Sequence, residues 1–558
     1  MVIYLIIVTL LITITWGIIV HKKLKHFLHI FQLEGYKLKQ FLKWLNPIFV
    51  FSKKKTNKIY VIAAGTIGIA FFIFSPVLSN YFHFTYLPIF LILGILELIS
   101  KKHEEKPKKP LVMTGRAKRI LIVSELLSIL FTVGFVMMLI SYQLSKLVLL
   151  DIFTFKYLLI YTLSIIWVEH FVMSLIFLSG IILFPVEKAI QRYYVHAAKK
   201  KIRSHSTTVI GITGSYGKTS TKHFLNTILQ GKYKVLMTPG SYNTTMGVCK
   251  VINNSLNNEH ELFVVEMGAR NIGDIKEITD IVKPEIGIIT AIGEQHLETF
   301  KSINNVINTK YELISSLPEN GLAVFNKENS YCRKMFDKTS HVAKMSYGLK
   351  SESGKLTVFA DQITYSIDGT SFRAVNSDGD EEYMECKLLG KHNVINLLGA
   401  ITIAQHLTMT LKEIKQRISM INPVPHRLEI LRTSSQKIVI DDTFNSNPEG
   451  AKSALEVLSM FRSDHKVLVT PGMVELGSKE YEYNEMFGKL AGKVCDEIIL
   501  VGKKRSTPIF NGIKTTNFPL NMCHIVKNLD EATTKLRSIV KQRSVILFEN
   551  DLPDNYNE

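Results

Sequence analysis

A chain of 558 residues is too long for a single hydrophobic core, so two or more domains are expected. Hydrophobic residues make up 47% and charged residues 21%, and the apolar ones crowd into the first third, so the composition divides into a membrane-like part and a soluble part. The formal charge of +19 sits mainly between apolar runs rather than on an aromatic-studded patch, which excludes nucleic acid as the partner and favours a lipid bilayer.

In chain order, Val2 to Val20 is an apolar run of spanning length followed by His21, Lys22 and Lys23, with no small-residue cleavage site, and reads as an anchor. Further runs at Ile59 to Leu78, Phe84 to Ile99, Ile120 to Ile140 and Phe155 to Phe184 bring the expected total to about five transmembrane helices over residues 1–185. The basic stretches around Lys22, Lys53 to Lys55, Lys101 to Lys109 and Lys199 to Arg203 then all fall on the cytosolic side. That predicts a multi-pass cell-membrane protein with its later domains in the cytoplasm. His26 to Trp44 reads either as a basic interfacial helix or as a solvated linker, and Glu169 with His170 is the one ionisable pair inside a long apolar run. A basic linker is expected at 186–206. The five cysteines, Cys249, Cys332, Cys386, Cys495 and Cys523, have neither C-x-x-C nor zinc spacing and read as reduced packing residues.

From Thr207 the pattern becomes short β-branched runs alternating with amphipathic segments: Thr208 to Ile212, Leu262 to Glu266, Ile286 to Ala291, Lys437 to Asp441, Lys466 to Thr470 and Glu497 to Val501. This is the α/β grammar of parallel sheets wrapped by helices, with a boundary near Asn422-Pro423 that separates a domain at 207–423 from one at 424–558.

The run from Val209 to Ser220 is a strand, a glycine turn and a helix opening expected at Lys222. Its backbone N–H groups around Gly214, Ser215 and Gly217 suit phosphates, Lys218 suits the outer phosphates of ATP, the Thr219 hydroxyl suits Mg2+, and Ser220 belongs to the same nucleotide-binding turn. Ile212 stands where the strict phosphate-loop pattern has its first glycine.

Thr213-Gly214 ahead of Gly217-Lys218-Thr219 resembles the Mur ligase family, in particular its D-alanyl-D-alanine-adding branch, and the resemblance continues in order to about residue 550. Thr238 to Gly247 is similar to the family's loop beside the reacting centre. The resemblance makes Glu266 a magnesium ligand, His296 a second metal-site residue, and Lys310 the lysine that the family carbamylates to help position Mg2+ and the γ-phosphate. By the same resemblance Lys218, His296 and Lys310 are the catalytic set and Thr219 a further metal ligand. Asn393 and Asn396, in Gly390 to Asn396, would approach the adenine. Arg427, Asp442 and Asn445 would reach the nucleotide from the last domain, the latter two within Asp441 to Pro448. The implied fold is an α/β P-loop central domain followed by a Rossmann-like C-terminal domain. The implied activity is an ATP-dependent, ADP-forming ligase that joins a carboxylate-bearing envelope precursor to an amine, an amino acid or a dipeptide.

Three departures from the family pattern bear on the substrate. Apolar runs replace the soluble N-terminal substrate domain, Gly472 stands where an aspartate is usual, and Phe548-Glu549-Asn550 stands where Lys-Gly-Ser is expected. They suggest a membrane-presented substrate. The alternatives are a conventional anchored ligase, an amino-acid-polymerising envelope ligase, or a degenerate ligase serving as a membrane scaffold.

Overall fold

The computed structural model describes residues 2–42, 110–145, 168–295, 297–350, 356–432, 437–444, 446–461 and 465–551. Contacts divide the chain into one unit up to Ile190 and another from Gln191 onward.

The first unit is helical: α1 (Val2–Leu33), α2 (Gly115–Ser145) and the part of α3 (Val168–Arg203) up to Ile190. Leu24, Phe27, Leu28, Phe31, Phe41, Ile120, Leu121, Val172 and Ile176 form its core. Inside, the Ser124 and Ser179 hydroxyls meet at 2.7 Å, and Glu187 accepts from Arg119 at 2.6 Å. Of His26 to Trp44, read as an interfacial helix or a solvated linker, residues 26–33 continue α1 and Phe27, Leu28, Phe31 and Phe41 are buried against the other helices, while residues 43–44 lie outside the described residues. Among the described residues one helical stretch, Phe171–Arg203, is long and apolar enough to cross a membrane by length and composition, against the roughly five expected. The runs at 59–78 and 84–99 lie outside the described residues. Residues 186–203, expected as a linker, are helical within α3, and Glu169 and His170 fall in its first turn.

The second unit holds two sheets. In the first, β1 (Thr208–Thr213), β2 (Val235–Met237), β3 (Leu262–Glu266), β4 (Ile286–Ile289), β5 (Leu322–Asn326), β6 (Ala343–Leu349) and β7 (Val358–Ser366) run parallel in the order β2-β3-β1-β4-β5-β6-β7. The hairpin strands β8 (Gly369–Asn376) and β9 (Glu381–Cys386) extend it antiparallel. Successive residues point to opposite faces, so each strand feeds two cores. Ile210, Ile212, Val264 and Ile288 share one core with α4 (Lys218–Leu229). Val209, Phe263, Val265 and Ile289 share the other with α5 (Thr245–Ser255), α6 (Asp274–Val282), α7 (Ile303–Ser315) and α8 (Ser330–Lys338). The first face is completed by α9 (Lys391–His406) and α10 (Leu411–Ile418). Strand order reverses at β1, which opens a crevice at the carboxyl ends of β1, β3 and β4.

The second sheet has the order β10-β11-β15-β12-β13-β14: β10 (Glu429–Arg432), β11 (Ile438–Asp442), β12 (His465–Thr470), β13 (Glu497–Val501), β14 (Cys523–Val526) and β15 (Ser544–Glu549). Only β10 is antiparallel to its neighbour. On one face α11 (Pro448–Ser459), α12 (Glu480–Val494) and α13 (Thr507–Lys514) bury Leu455, Phe487 and Ile509, and on the other α14 (Leu529–Ile539) buries Ala532. Asn447 caps α11 by accepting from the Gly450 N–H at 2.9 Å, with Pro448 in the first turn, where its missing N–H costs nothing.

Two sequence expectations change. The strand expected to run to Ala291 stops at Ile289, and the antiparallel β7 to β9 segment was not anticipated. One face of that segment is wet, so it lacks the continuous apolar run that marks a buried parallel strand.

Candidate active site

The glycine turn between β1 and α4 is laced to the loop after β4. Ser215 N–H donates to the Ala291 carbonyl at 2.7 Å, its hydroxyl reaches the Gly293 carbonyl at 3.0 Å, and Thr290 donates to the Tyr216 carbonyl. The helix expected to open at Lys222 opens at Lys218. Gly217, at φ +80°, is its N-cap, and a Cβ there would run into the Asn396 amide. With no side-chain cap on α4, the first amides of the helix face the crevice and suit an anion.

Lys218 lies inside this turn, donating to the carbonyls of Gly214 at 2.7 Å and Ser215 at 3.1 Å. Burial lowers its pKa to about 8, against the opposing pull of Glu266. At the end of β3, Glu266 is 1% exposed. Its Oε1 accepts from Thr219 Oγ1 at 3.2 Å and Asn243 Nδ2 at 2.9 Å, and its Oε2 from Lys222 Nζ at 3.0 Å. Desolvation opposes its ionisation, but Lys222, Lys218 and these hydrogen bonds win, so its pKa lies below the usual value.

Lys310, on α7, is 3% exposed. Burial, reinforced by Lys218, holds its pKa well below the usual lysine range, while Asp274, Glu312 and Glu266 pull the other way. Lys218, Glu266 and Lys310 therefore share one electrostatic neighbourhood. Ser220 is buried in the first turn of α4. On α9, Asn396 touches the phosphate loop, whereas Asn393 turns its amide back to the Leu389 carbonyl at 2.8 Å. His296 and Asn445 lie outside the described residues.

The second sheet adds cations and a clasp. Arg427 reaches Thr219 Oγ1 at 3.5 Å and stacks over the Phe444 ring at 4.5 Å. Glu294, beside the phosphate loop, accepts from Lys479 Nζ at 2.8 Å and Tyr483 Oη at 2.9 Å. Asp442 accepts from Leu428 N–H at 3.2 Å, and strand pairing sets it beside Glu549. Burial raises Asp442 to about 6 and pushes Glu549 well above the usual carboxylate range. The departure at Gly472 has a steric basis: its φ is +85°, and a Cβ would meet Asn484 Oδ1 at 2.7 Å.

Lys222, Glu294, Lys479 and Tyr483 were not singled out from sequence. For Lys222 a signal existed, since it lies four residues after Lys218 and so on the same helical face. For the other three, distance in sequence hides the contact.

Thr219 and Glu266 present hard oxygens 3.2 Å apart beside an anion-ready helix start, a donor set that fits Mg2+. The ion would supply charge neutralisation for phosphoryl oxygens when bound. A glycine turn at a strand-order reversal, a half-buried lysine at its end and an acidic strand end define a P-loop α/β enzyme acting on a nucleoside triphosphate.

The sequence matches the Mur ligase middle domain over residues 212–404 and the Mur ligase, glutamate ligase domain over 426–549. It is 34% identical over 325 residues to the UDP-N-acetylmuramoyl-tripeptide–D-alanyl-D-alanine ligase of Buchnera aphidicola subsp. Baizongia pistaciae, covering 58% of this chain and 69% of that protein. The enzyme of the same name from Bacillus subtilis is 27% identical over 308 residues, covering 55% and 65%. The structure of MurF ligase from Thermotoga maritima in complex with ADP superposes with a TM-score of 0.57 at 25% identity, covering 65% of this chain and 80% of that one. MurF from Acinetobacter baumannii shares the fold, with a TM-score of 0.59 at 24% identity, 66% and 78% covered. The chain belongs to the Mur ligase family, and it is an ATP-dependent, ADP-forming carbon–nitrogen ligase.

Proposed function

We propose that the chain performs the MurF reaction, joining D-alanyl-D-alanine to the terminal carboxylate of UDP-N-acetylmuramoyl-tripeptide in peptidoglycan synthesis. The observation that carries this is the grouping of Lys218, Thr219 and Glu266 at the phosphate loop, with Lys310 in the same electrostatic neighbourhood, in a chain whose curated relatives bear that activity in their names. An amine does not displace oxide from a carboxylate, so the γ-phosphate of ATP is transferred first and the amine then expels phosphate from the acyl phosphate. The protein supplies position and charge. Lys218 and the α4 amides would hold the phosphates, Thr219 and Glu266 would hold Mg2+, Arg427 would add positive charge from the second sheet, and the Glu294 clasp would keep water from the acyl phosphate. His296, Asn393, Asn396, Asp442 and Asn445 keep the roles that the family resemblance implies.

Carbamylation of Lys310 belongs to the same reading. Burial favours the neutral amine, the form that attacks CO2; the carbamic acid so formed loses its proton to solvent and leaves an anion that suits this cation-rich pocket. Attachment to the cell membrane, with both sheets in the cytoplasm, is supported by Phe171–Arg203 and by the exposed Leu126, Ile129, Leu130 and Phe131 of α2 and Ile181, Ile182 and Phe184 of α3. On that reading a lipid-linked form of the precursor is the second candidate substrate.

The test is phosphate release from ATP by the detergent-solubilised chain, with Lys218→Ala as control. Release that depends on Lys218, on the uridine-linked tripeptide and on D-alanyl-D-alanine supports the MurF reaction. Release only with a lipid-linked acceptor transfers the proposal to the membrane-presented substrate, and Lys218-independent release refutes both.

A further inference from the structure

We propose that Lys222 is a positioning residue that holds the second oxygen of Glu266 and ties this carboxylate to the 240–243 turn, so that the metal-facing oxygen and the turn beside the reacting centre move as one. The inference rests on the Mg2+–nucleotide reading given above.

Lys218 and Lys222 are one helical turn apart on α4, yet their side chains diverge. Lys218 curls back onto the phosphate loop, while Lys222 spans to Glu266 Oε2 at 3.0 Å and to the Gly240 carbonyl at 2.6 Å. Both charged side chains are dry, at 0% exposure for Lys222 and 1% for Glu266. A buried ion pair of this kind is seldom worth more to folding than apolar residues of the same volume, so its presence needs another explanation.

The geometry provides one. Lys222 occupies Oε2, which leaves Oε1 as the oxygen turned toward Thr219, the other candidate Mg2+ ligand. The turn is fastened at several points around the same carboxylate. Thr238 accepts the Glu266 N–H at 3.1 Å, Asn243 Nδ2 bonds Oε1 at 2.9 Å, Gly268 N–H donates to the Asn243 carbonyl at 2.7 Å, and Lys222 pins Gly240. Without Lys222, Oε2 has no donor in a dry pocket, the carboxylate rotates to share Thr219 and Asn243 between its two oxygens, and the oxygen offered to the metal is lost. Groups that orient a ligand in this way typically change metal affinity by about 10–100-fold.

The test uses the full chain in detergent and measures ADP binding calorimetrically in Mg2+ and in EDTA. Lys222→Met is expected to bind ADP in EDTA within about twofold of wild type, because the phosphate loop and Lys218 are untouched, while losing about tenfold of the affinity that Mg2+ adds. Lys222→Arg is expected to recover part of that loss. In a Glu266→Gln background, Lys222→Met is expected to cost nothing further, since the lysine acts through the carboxylate. An intact Mg2+ gain in Lys222→Met, an equal loss in EDTA, no recovery with arginine, or a full additional loss on Glu266→Gln each overturns the proposal. Should Lys222→Met fail to fold, Glu266→Gln against the double variant decides alone, because the double variant removes both buried charges together. A wild-type chain that binds no ADP under either condition refutes the nucleotide reading itself rather than the role of Lys222.

Discussion

Glu549→Gln should stabilise the protein, and more so as pH rises. Glu549 is 1% exposed, accepts from Ser446 Oγ at 2.6 Å through Oε1, and leaves Oε2 without a partner beside Asp442, its register partner on β11. Burial, and after it the charge of Asp442, holds the Glu549 proton well above the usual range, and burial raises Asp442 from 3.8 to about 6 against the pull of Arg427. Below about pH 3 both acids carry protons whether the chain is folded or unfolded, so neither costs stability. As pH rises through the unfolded value and then the folded one, the unfolded chain releases protons that the folded chain retains, and stability falls. At about 1.36 kcal/mol per tenfold change in proton affinity, the Asp442 shift alone corresponds to about 3 kcal/mol of order-of-magnitude cost above pH 6. A glutamine keeps the Ser446 contact through its oxygen, and its NH2 donates to Asp442 in place of the shared proton. The expected gain is about 2 kcal/mol at pH 8, or about 5–10 °C in the melting of this lobe, and close to nothing at pH 3. Differential scanning fluorimetry of the detergent-solubilised chain across this range reads it. A gain that does not depend on pH, or a loss at pH 8, would show that the two acids are not competing for one dry site.

Other outcomes follow from the same geometry. Lys310→Ala should lower phosphate release by about 100-fold or more, and small carboxylates added to the buffer should restore part of it if an anion normally extends from this position; no rescue at any concentration argues against carbamylation. Glu294→Ala removes both the Lys479 and the Tyr483 contact and should raise the KM for ATP by about 3–10-fold with melting unchanged, whereas an unaltered KM would mean that the clasp does not matter for closure. Gly472→Asp, which restores the residue usual in the family, should destabilise the chain by about 2 kcal/mol, because φ +85° and contact with Asn484 leave no room for a Cβ; an unshifted melting curve refutes this.

Much of the candidate site was named before the fold. Gly214 to Thr219, Glu266 and Lys310 were named from local motifs and family order, and the structure brings Lys218, Glu266 and Lys310 into one neighbourhood. The start of α4 was misplaced because the sequence pattern registers amphipathic periodicity, whereas the helix begins at a backbone event, the positive φ of Gly217. Asn393 stood beside Asn396 in one motif, yet Asn396 lies against Gly217 of the phosphate loop while Asn393 donates to the Leu389 carbonyl, a difference that the motif does not carry.

The sequence by itself determined the α/β character of residues after 207, the phosphate loop and the order of the acidic and basic elements around it. These are properties of neighbours in the chain, set by strand alternation, glycine turns and helix starts. Tertiary structure alone decided that Lys222 reaches Glu266, that Glu549 stands against Asp442, that Glu294 holds Lys479 and Tyr483, and that Lys310 is dry. Each of these depends on which distant segments share a crevice or a strand register, and burial and charge have no value until that neighbourhood exists.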